Sequence, residues 1–308
     1  MSSAPGKIIL FGEHAVVYGR PALAVPVMQV HADVEVLAGS RAGIWIDAPD
    51  INLHAGLDTL PPTHPLASVI NGTLTALGIS SPPALKLRIT SSIPVASGLG
   101  SGAAVSVAVI RELSAALEHS LDDEKVNRIA YETEKLHHGT PSGIDNTVIT
   151  YAMPVFFVRG QPIEVFRVGK PFTVVIGNTG IAAPTKESVG DVRKLWQADP
   201  AKWETVFDEV ANIVLKAKSA IESGNLSILG ELMNRNHALL QEMTVSCPEL
   251  DVLVSAALSA GAQGAKLSGG GRGGNMIALV SPDNATQVAG ALEAAGAKRV
   301  LVTEISRF

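Results

Sequence analysis

One cysteine, Cys247, stands among 308 residues. That excludes a disulfide framework and a four-cysteine zinc site, and it fits a reducing compartment. Positive charge is in deficit: 24 Lys and Arg against 29 Asp and Glu leave a net charge of -5. No general basic field is available to hold a nucleic-acid backbone, so no nucleic-acid partner is expected. Long apolar runs are missing as well. Mean hydropathy is +0.27, yet no stretch reaches the roughly 18 residues of a spanning helix. The most apolar, Gly102 to Ile110, is short and ends at Arg111. At the N-terminus, Lys7 precedes only Ile8 to Phe11 before Glu13 and His14 intervene, which does not read as a signal peptide. The expectation is a soluble cytoplasmic protein with no membrane partner. Several catalytic strings are absent too: there is no P-loop, no H-R-D or D-F-G set, no G-x-S-x-G and no H-E-x-x-H.

What is present points to a packed globular chain. Apolar residues make up 46% and charged residues 17%, which excludes disorder. Length allows two domains. Short Val/Ile/Leu-rich runs at 7–11, 22–27, 30–37, 43–47, 85–90, 153–158 and 172–177 read as strands. Residues 66–77 and the stretch from 102 to about Glu118 read as helices, and Asp122 or Asp123 caps another that ends at Gly139. Thr140 and Pro141 read as N-cap and first residue of the next helix. From Thr185 to about Leu258 the chain is helical, broken near Pro200, Gly224 and Pro248; it ends strand, glycine loop, strand, helix (283–295), strand. Without regular strand–helix alternation the fold class is α+β. Texture changes near 165–172, which places domains at 1–170 and 171–308.

Four segments carry possible chemistry. Pro94 to Ala104 is rich in glycine between a strand and a helix. Glycines let backbone N–H groups turn toward a ligand, and a helix N-terminus adds orphan donors and a positive dipole end. The segment reads as a phosphate cradle or as a plain tight turn before a buried helix. Gly269 to Gly274 satisfies G-x-G-x-x-G. A strand follows it, whereas a dinucleotide site needs a helix, so a hairpin-like loop packed against another site fits better. Glu134 shares a helical row with Val126 and Ala130. A carboxylate there needs a cation, magnesium with phosphates being one, or it pairs with His138. Asp145 is a general base held near a helix start, or an acid that only stabilises the dipole. Lys7 opens a strand, and Gly12-Glu13-His14 follows; alone, Lys7 and His14 also fit ordinary surface or core roles. Together these are the parts for phosphoryl transfer from a nucleotide to an alcohol on a scaffold without a P-loop.

The segments Ala4–Gly19, Ile93–Ala104, Glu132–Asn146 and Gly264–Gly274 resemble, in order and spacing, the motifs of the GHMP kinase superfamily. The continuation Ala15-Val16-Val17-Tyr18-Gly19 is similar to its mevalonate kinase branch, where galactokinases typically have Thr-Asp-Tyr. The resemblance implies two α+β domains. One is like ribosomal protein S5 domain 2, the other is ferredoxin-like, and the active site lies in the cleft between them. It also implies ATP and Mg2+ as cofactors and mevalonate as the small-molecule substrate, with homodimers common. Asp145 would take the proton of the C5 hydroxyl and Lys7 would stabilise charge there. Pro94, Ser97, Gly98, Leu99, Gly100, Ser101, Gly102 and Ala103 would hold the nucleotide phosphates. Glu134 and Ser101 would bind the metal. Glu13, His14 and Thr185 would contact mevalonate, and the 269–274 loop would support the phosphate site. Thr185 also reads as a helix cap. Arg193, one to two turns beyond it, is the candidate for the substrate carboxylate, or a solvated helix residue.

Three departures stand out. Gly102 occupies a position where a second serine is common, Arg272 replaces a glycine, and Asn275 replaces a cysteine. Other readings are a sibling kinase for phosphomevalonate or another small alcohol, a non-catalytic nucleotide-binding relative, and an NAD-dependent oxidoreductase resting on the 269–274 string.

Overall fold

The alternating and continuous apolar runs become strands, and the 3.6-period rows become helices, in the order that follows. A computed structural model describes residues 1–94, 97–138, 141–183 and 185–306, with the side chains of His137 and His138 outside the description. The chain runs β1 (Ser2–Phe11), β2 (Ala22–Ala38), β3 (Ile44–Ala48), β4 (Leu53–Gly56), α1 (Pro65–Leu77), β5 (Leu85–Ser91) and α2 (Ser101–Ala116). Then come α3 (Asp123–His138), α4 (Ile144–Tyr151), β6 (Val155–Phe157), β7 (Glu164–Val165), β8 (Phe172–Asn178), α5 (Thr185–Ala198) and α6 (Pro200–Ser223). It closes with α7 (Leu229–Glu242), α8 (Pro248–Ser259), β9 (Gly264–Ser268), β10 (Asn275–Val280), α9 (Ala285–Ala294) and β11 (Arg299–Ile305). Among the described residues no helix is long and apolar enough to cross a membrane.

Two compact units are present, and they interleave: the first holds residues 1–6, 30–95 and 100–152, the second 7–29, 96–99 and 153–308. A single cut near 165–172 divides the chain differently, because the segment carrying Lys7, Glu13 and His14 belongs to the second unit.

In the first unit β3 pairs in parallel with β5 and antiparallel with β4, and the second half of β2 pairs antiparallel with β5. Helices α1 to α4 pack on one another. The row Ala103, Ala104, Val107, Ala108 and Ile110 of α2 is fully buried, as its small, all-round apolar sequence requires. The sequence reading broke β2 into two strands. It is one strand of 17 residues, and the break corresponds to Pro26 and to the exposed pair Met28–Gln29, which lie between the β6-paired and β5-paired segments.

In the second unit the strand order β11-β8-β10-β9, antiparallel throughout, is ferredoxin-like. β8, β9 and β10 are almost wholly buried. The edge strand β9 is covered by α7 at very close range: a Cβ on Gly264 would lie 2.2 Å from the Gly230 carbonyl oxygen. β9 also donates its N–H groups at Ala265 and Leu267 to Asn234 and His237 of α7, at 2.9 and 3.3 Å. An edge that would otherwise template aggregation is thereby closed.

Candidate active site

The second unit holds the turn after β1. Lys7 is buried, and its N–H donates to the Leu99 carbonyl at 2.9 Å. Gly12 has φ +100, and a Cβ on it would lie 2.5 Å from both the Ala22 Cα and the Pro21 carbonyl oxygen; only glycine fits. Glu13 and His14 follow, both buried. Glu13 Oε1 is ion-paired with Lys266 of β9, and Lys266 Nζ also donates to the Leu267 carbonyl at 2.6 Å. Burial pushes the Glu13 carboxyl up and the Lys266 ammonium down, each opposed by the charge of the other. His14 has φ 61, and its Nε2 lies 3.1 Å from the Gly270 carbonyl oxygen.

Burial, the main cause, lowers the His14 pKa from 6.5 to about 4. The ring is therefore neutral near pH 7, with the proton on Nε2 and Nδ1 left as an acceptor. A measurable consequence follows. Between pH 6.5 and 4 the unfolded chain binds a proton at this site that the folded chain refuses, so stability falls as pH falls through that window. The His14 contribution between pH 7 and pH 5 is about 2 kcal/mol. His14→Gln is expected to reduce the acid-induced loss in urea unfolding by that amount; an unchanged loss would contradict it.

The glycine loop closes the β9–β10 hairpin, with Ser268 opposite Asn275. It is closely packed: a Cβ on Gly270 would sit 2.6 Å from Thr185 Oγ1, and one on Gly271 1.9 Å from the Val245 carbonyl oxygen. Arg272 takes φ 56 and pairs with Asp191 of α5 at 2.6 Å. Its charge is thus used to tie the loop to the helix that carries Thr185 and Arg193. Arg193 is exposed. Its cation is felt by Tyr18, which stacks on Phe207 with centroids 4.2 Å apart.

Asn275 shows what a single sequence conceals. Its Nδ2 donates to the Ser97 carbonyl at 2.6 Å, and its Oδ1 accepts from Asn178 at 2.8 Å. A residue seen only as a departure thus fastens the segment expected to hold the phosphates. Ser97 is buried, and Gly98 turns left-handed at φ +82. Glu13 Oε2, His14 Nδ1 and Ser97 Oγ are buried polar atoms without a hydrogen-bond partner among the described residues.

The first unit, taken by itself, holds the other candidate residues. Pro94 precedes Val95 and Ala96, which lie outside the described residues. Gly100 is left-handed at φ 77 and provides no side-chain cap, so α2 begins at Ser101 with open N–H groups. Gly102 is exposed and Ala103 buried. Glu134 on α3 is buried in the same row as Val126 and Ala130; the alternative partner, His138, has its side chain outside the described residues. Asp145 is half-buried. Pro141 does not start its helix: α4 begins at Ile144 after Gly143, left-handed at φ 93. Asp145 is therefore the second residue of α4. Thr140, expected as the cap, lies outside the described residues. Among the described residues no three His, Cys, Asp or Glu side chains cluster as a metal cage. A buried carboxylate on α3 and a helix start on α2 without a side-chain cap are the kinds of group that suit Mg2+, which keeps few protein ligands and takes phosphate oxygens.

The chain belongs to the GHMP kinase family: the model for the N-terminal domain matches residues 66–153 and that for the C-terminal domain residues 217–298. Within it, the mevalonate kinase of Pyrococcus furiosus is 37% identical across all of this chain and 96% of that protein. A crystal structure of L. major mevalonate kinase in complex with R-mevalonate has a TM-score of 0.86 and 32% identity, covering 99% of this chain and 95% of that one. The Methanococcus jannaschii mevalonate kinase gives 0.85 at 26% identity, covering 99% and 97%.

Proposed function

We propose that the protein is an ATP:mevalonate 5-phosphotransferase. The observation that carries this reading is full-length similarity at 37% identity to a mevalonate kinase, in a chain that holds Lys7, Glu134 and Asp145 together with a buried Glu13–His14 turn. In the reaction the C5 oxygen of mevalonate bonds to the γ-phosphorus, the bond from that phosphorus to the bridging oxygen breaks, and ADP leaves. Asp145 accepts the hydroxyl proton. Lys7 stabilises the negative charge that develops on the oxygen. The backbone from Ser97 to Ala103 holds the phosphates by N–H groups and the α2 dipole. Glu134, with Ser101, would hold Mg2+, whose chemistry is neutralisation of phosphate charge. Glu13, His14 and Thr185 meet the substrate, and Arg193 meets its carboxylate. Most of the rate comes from alignment and charge stabilisation. The division 1–170 and 171–308 corresponds, on this reading, to the two kinase domains.

ADP release is the test, with mevalonate beside phosphomevalonate, homoserine and galactose. Turnover on mevalonate is expected; turnover confined to another alcohol would keep the kinase class and reject the substrate. The Arg193 role fails if Arg193→Ala leaves the KM for mevalonate unchanged. Gly102 offers a further check. A Cβ there meets nothing within 4 Å, so a serine fits, and it suits a helix better than glycine. Gly102→Ser is expected to lower severalfold the Mg2+ concentration that gives half-maximal rate. An unchanged Mg2+ dependence would show that a hydroxyl at 102 does not reach the metal.

A further inference from the structure

Lys266 has no place in the chemistry assigned so far, yet it is among the most deeply buried charges of the chain, at 0% exposure. A lysine in that position needs a reason, since an unpaired buried ammonium is costly and apolar residues would serve the strand as well. Its surroundings are built with care. β9 is held from α7 through Asn234 and His237. Ser268 Oγ donates to the Ile9 carbonyl at 2.8 Å and accepts the Ile9 N–H at 3.2 Å, which ties β9 to β1 two residues beyond Lys7. The ammonium is divided between the Leu267 carbonyl and Glu13 Oε1. Glu13 Oε2 has no partner among the described residues. Lys7 acts on Glu13, while His14 and His237 feel Lys266; His14 also feels Arg272, and His237 faces Asp251 at 3.2 Å.

We propose that Lys266 is a positioning residue for the phosphotransfer reaction: it fixes one oxygen of Glu13 and leaves the other, Oε2, as the charged acceptor for a hydroxyl of the alcohol substrate. The inference rests on the mevalonate reading for the identity of that alcohol. Its physical content is a division of labour. One carboxylate oxygen is spent on an ammonium that also donates to the Leu267 carbonyl, so the second is held in one orientation, with the cation opposing the upward push of burial. A charge-assisted bond to it discriminates strongly against a substrate that lacks the hydroxyl. Without Lys266 the upward push of burial on the Glu13 carboxyl loses its main opposing charge, so the carboxyl holds its proton to higher pH and the acceptor is weakened toward acid pH.

The experiment measures kcat and the KM values for mevalonate and ATP from pH 6 to 9, in the wild type, Lys266→Met, Glu13→Gln and the double variant. Wild-type turnover comes first, so that failure of the substrate reading is seen separately. In Lys266→Met the KM for mevalonate is expected to rise about tenfold to a hundredfold at the acid end and to fall as pH rises, with the KM for ATP unchanged. The double variant is expected to match Glu13→Gln, with no pH slope. A rise without a pH slope, an equal rise for ATP, or a further rise on adding Lys266→Met to Glu13→Gln would overturn the proposal. Because the double variant removes both charges of the pair, the last comparison stands even if Lys266→Met alone fails to fold.

Discussion

Asp145→Asn is expected to lower kcat on mevalonate by about 10²- to 10⁴-fold, the usual worth of a positioned general base, while both KM values stay within about threefold of wild type. The substitution keeps size and shape and removes only the capacity to take a proton. The position is rigid for local reasons. Gly143 sets the start of α4, Thr147 Oγ1 donates back to the Gly143 carbonyl at 2.7 Å, and Asn146 Nδ2 donates to Asn127 of α3. A carboxylate held on such a turn loses little freedom when substrate arrives. The competing role, an acid that merely complements the helix dipole, has a different signature: a stability loss of about 0.3–1 kcal/mol with kcat unchanged. Steady-state kinetics beside a thermal melt separate the two.

Gly264→Ala is expected to destabilise the second unit by about 3 kcal/mol or more, as overpacking against backbone does. The added methyl would lie 2.2 Å from the Gly230 carbonyl oxygen and 2.4 Å from its Cα. Neither atom is the end of a flexible side chain, so α7 must move off β9. That movement would strain the Asn234 and His237 contacts and, through Leu267, the seat of Lys266. The expected result in urea unfolding is a lower midpoint, with weakened mevalonate binding in the protein that remains folded. A variant as stable as wild type would mean that the helix–strand approach is looser than described.

Much of this was legible in the sequence. The apolar row that buries Glu134, the glycine run before α2 and the hairpin character of the 269–274 loop all follow from local pattern, because period and turn chemistry act over a few residues. Three features were not. β2 looked divided because Pro26 and the exposed Met28–Gln29 interrupt an alternation that the chain nonetheless continues. The start of α4 looked like Thr140-Pro141 because that pair suits a helix entrance, whereas the left-handed Gly143 sets it. Lys266 goes unmarked, and Asn275 stands out only as a departure without a role, because their partners, Glu13 and Ser97, lie far away in the chain, and no local rule joins residues so distant. A signal did exist for Lys266: a cation inside the apolar strand Gly264–Ser268 demands a counter-charge, and Glu13, next to buried Ala15 and Val16, demands one too.

The most direct measurement is the identity of the product. Purified protein with ATP, Mg2+ and (R)-mevalonate is followed by phosphorus NMR. The expected spectrum shows ADP and one phosphomonoester in equal amounts, the latter coupled to the protons of the C5 methylene. ADP with free phosphate and no phosphomonoester, or no consumption of ATP while another alcohol is phosphorylated, would contradict the assignment.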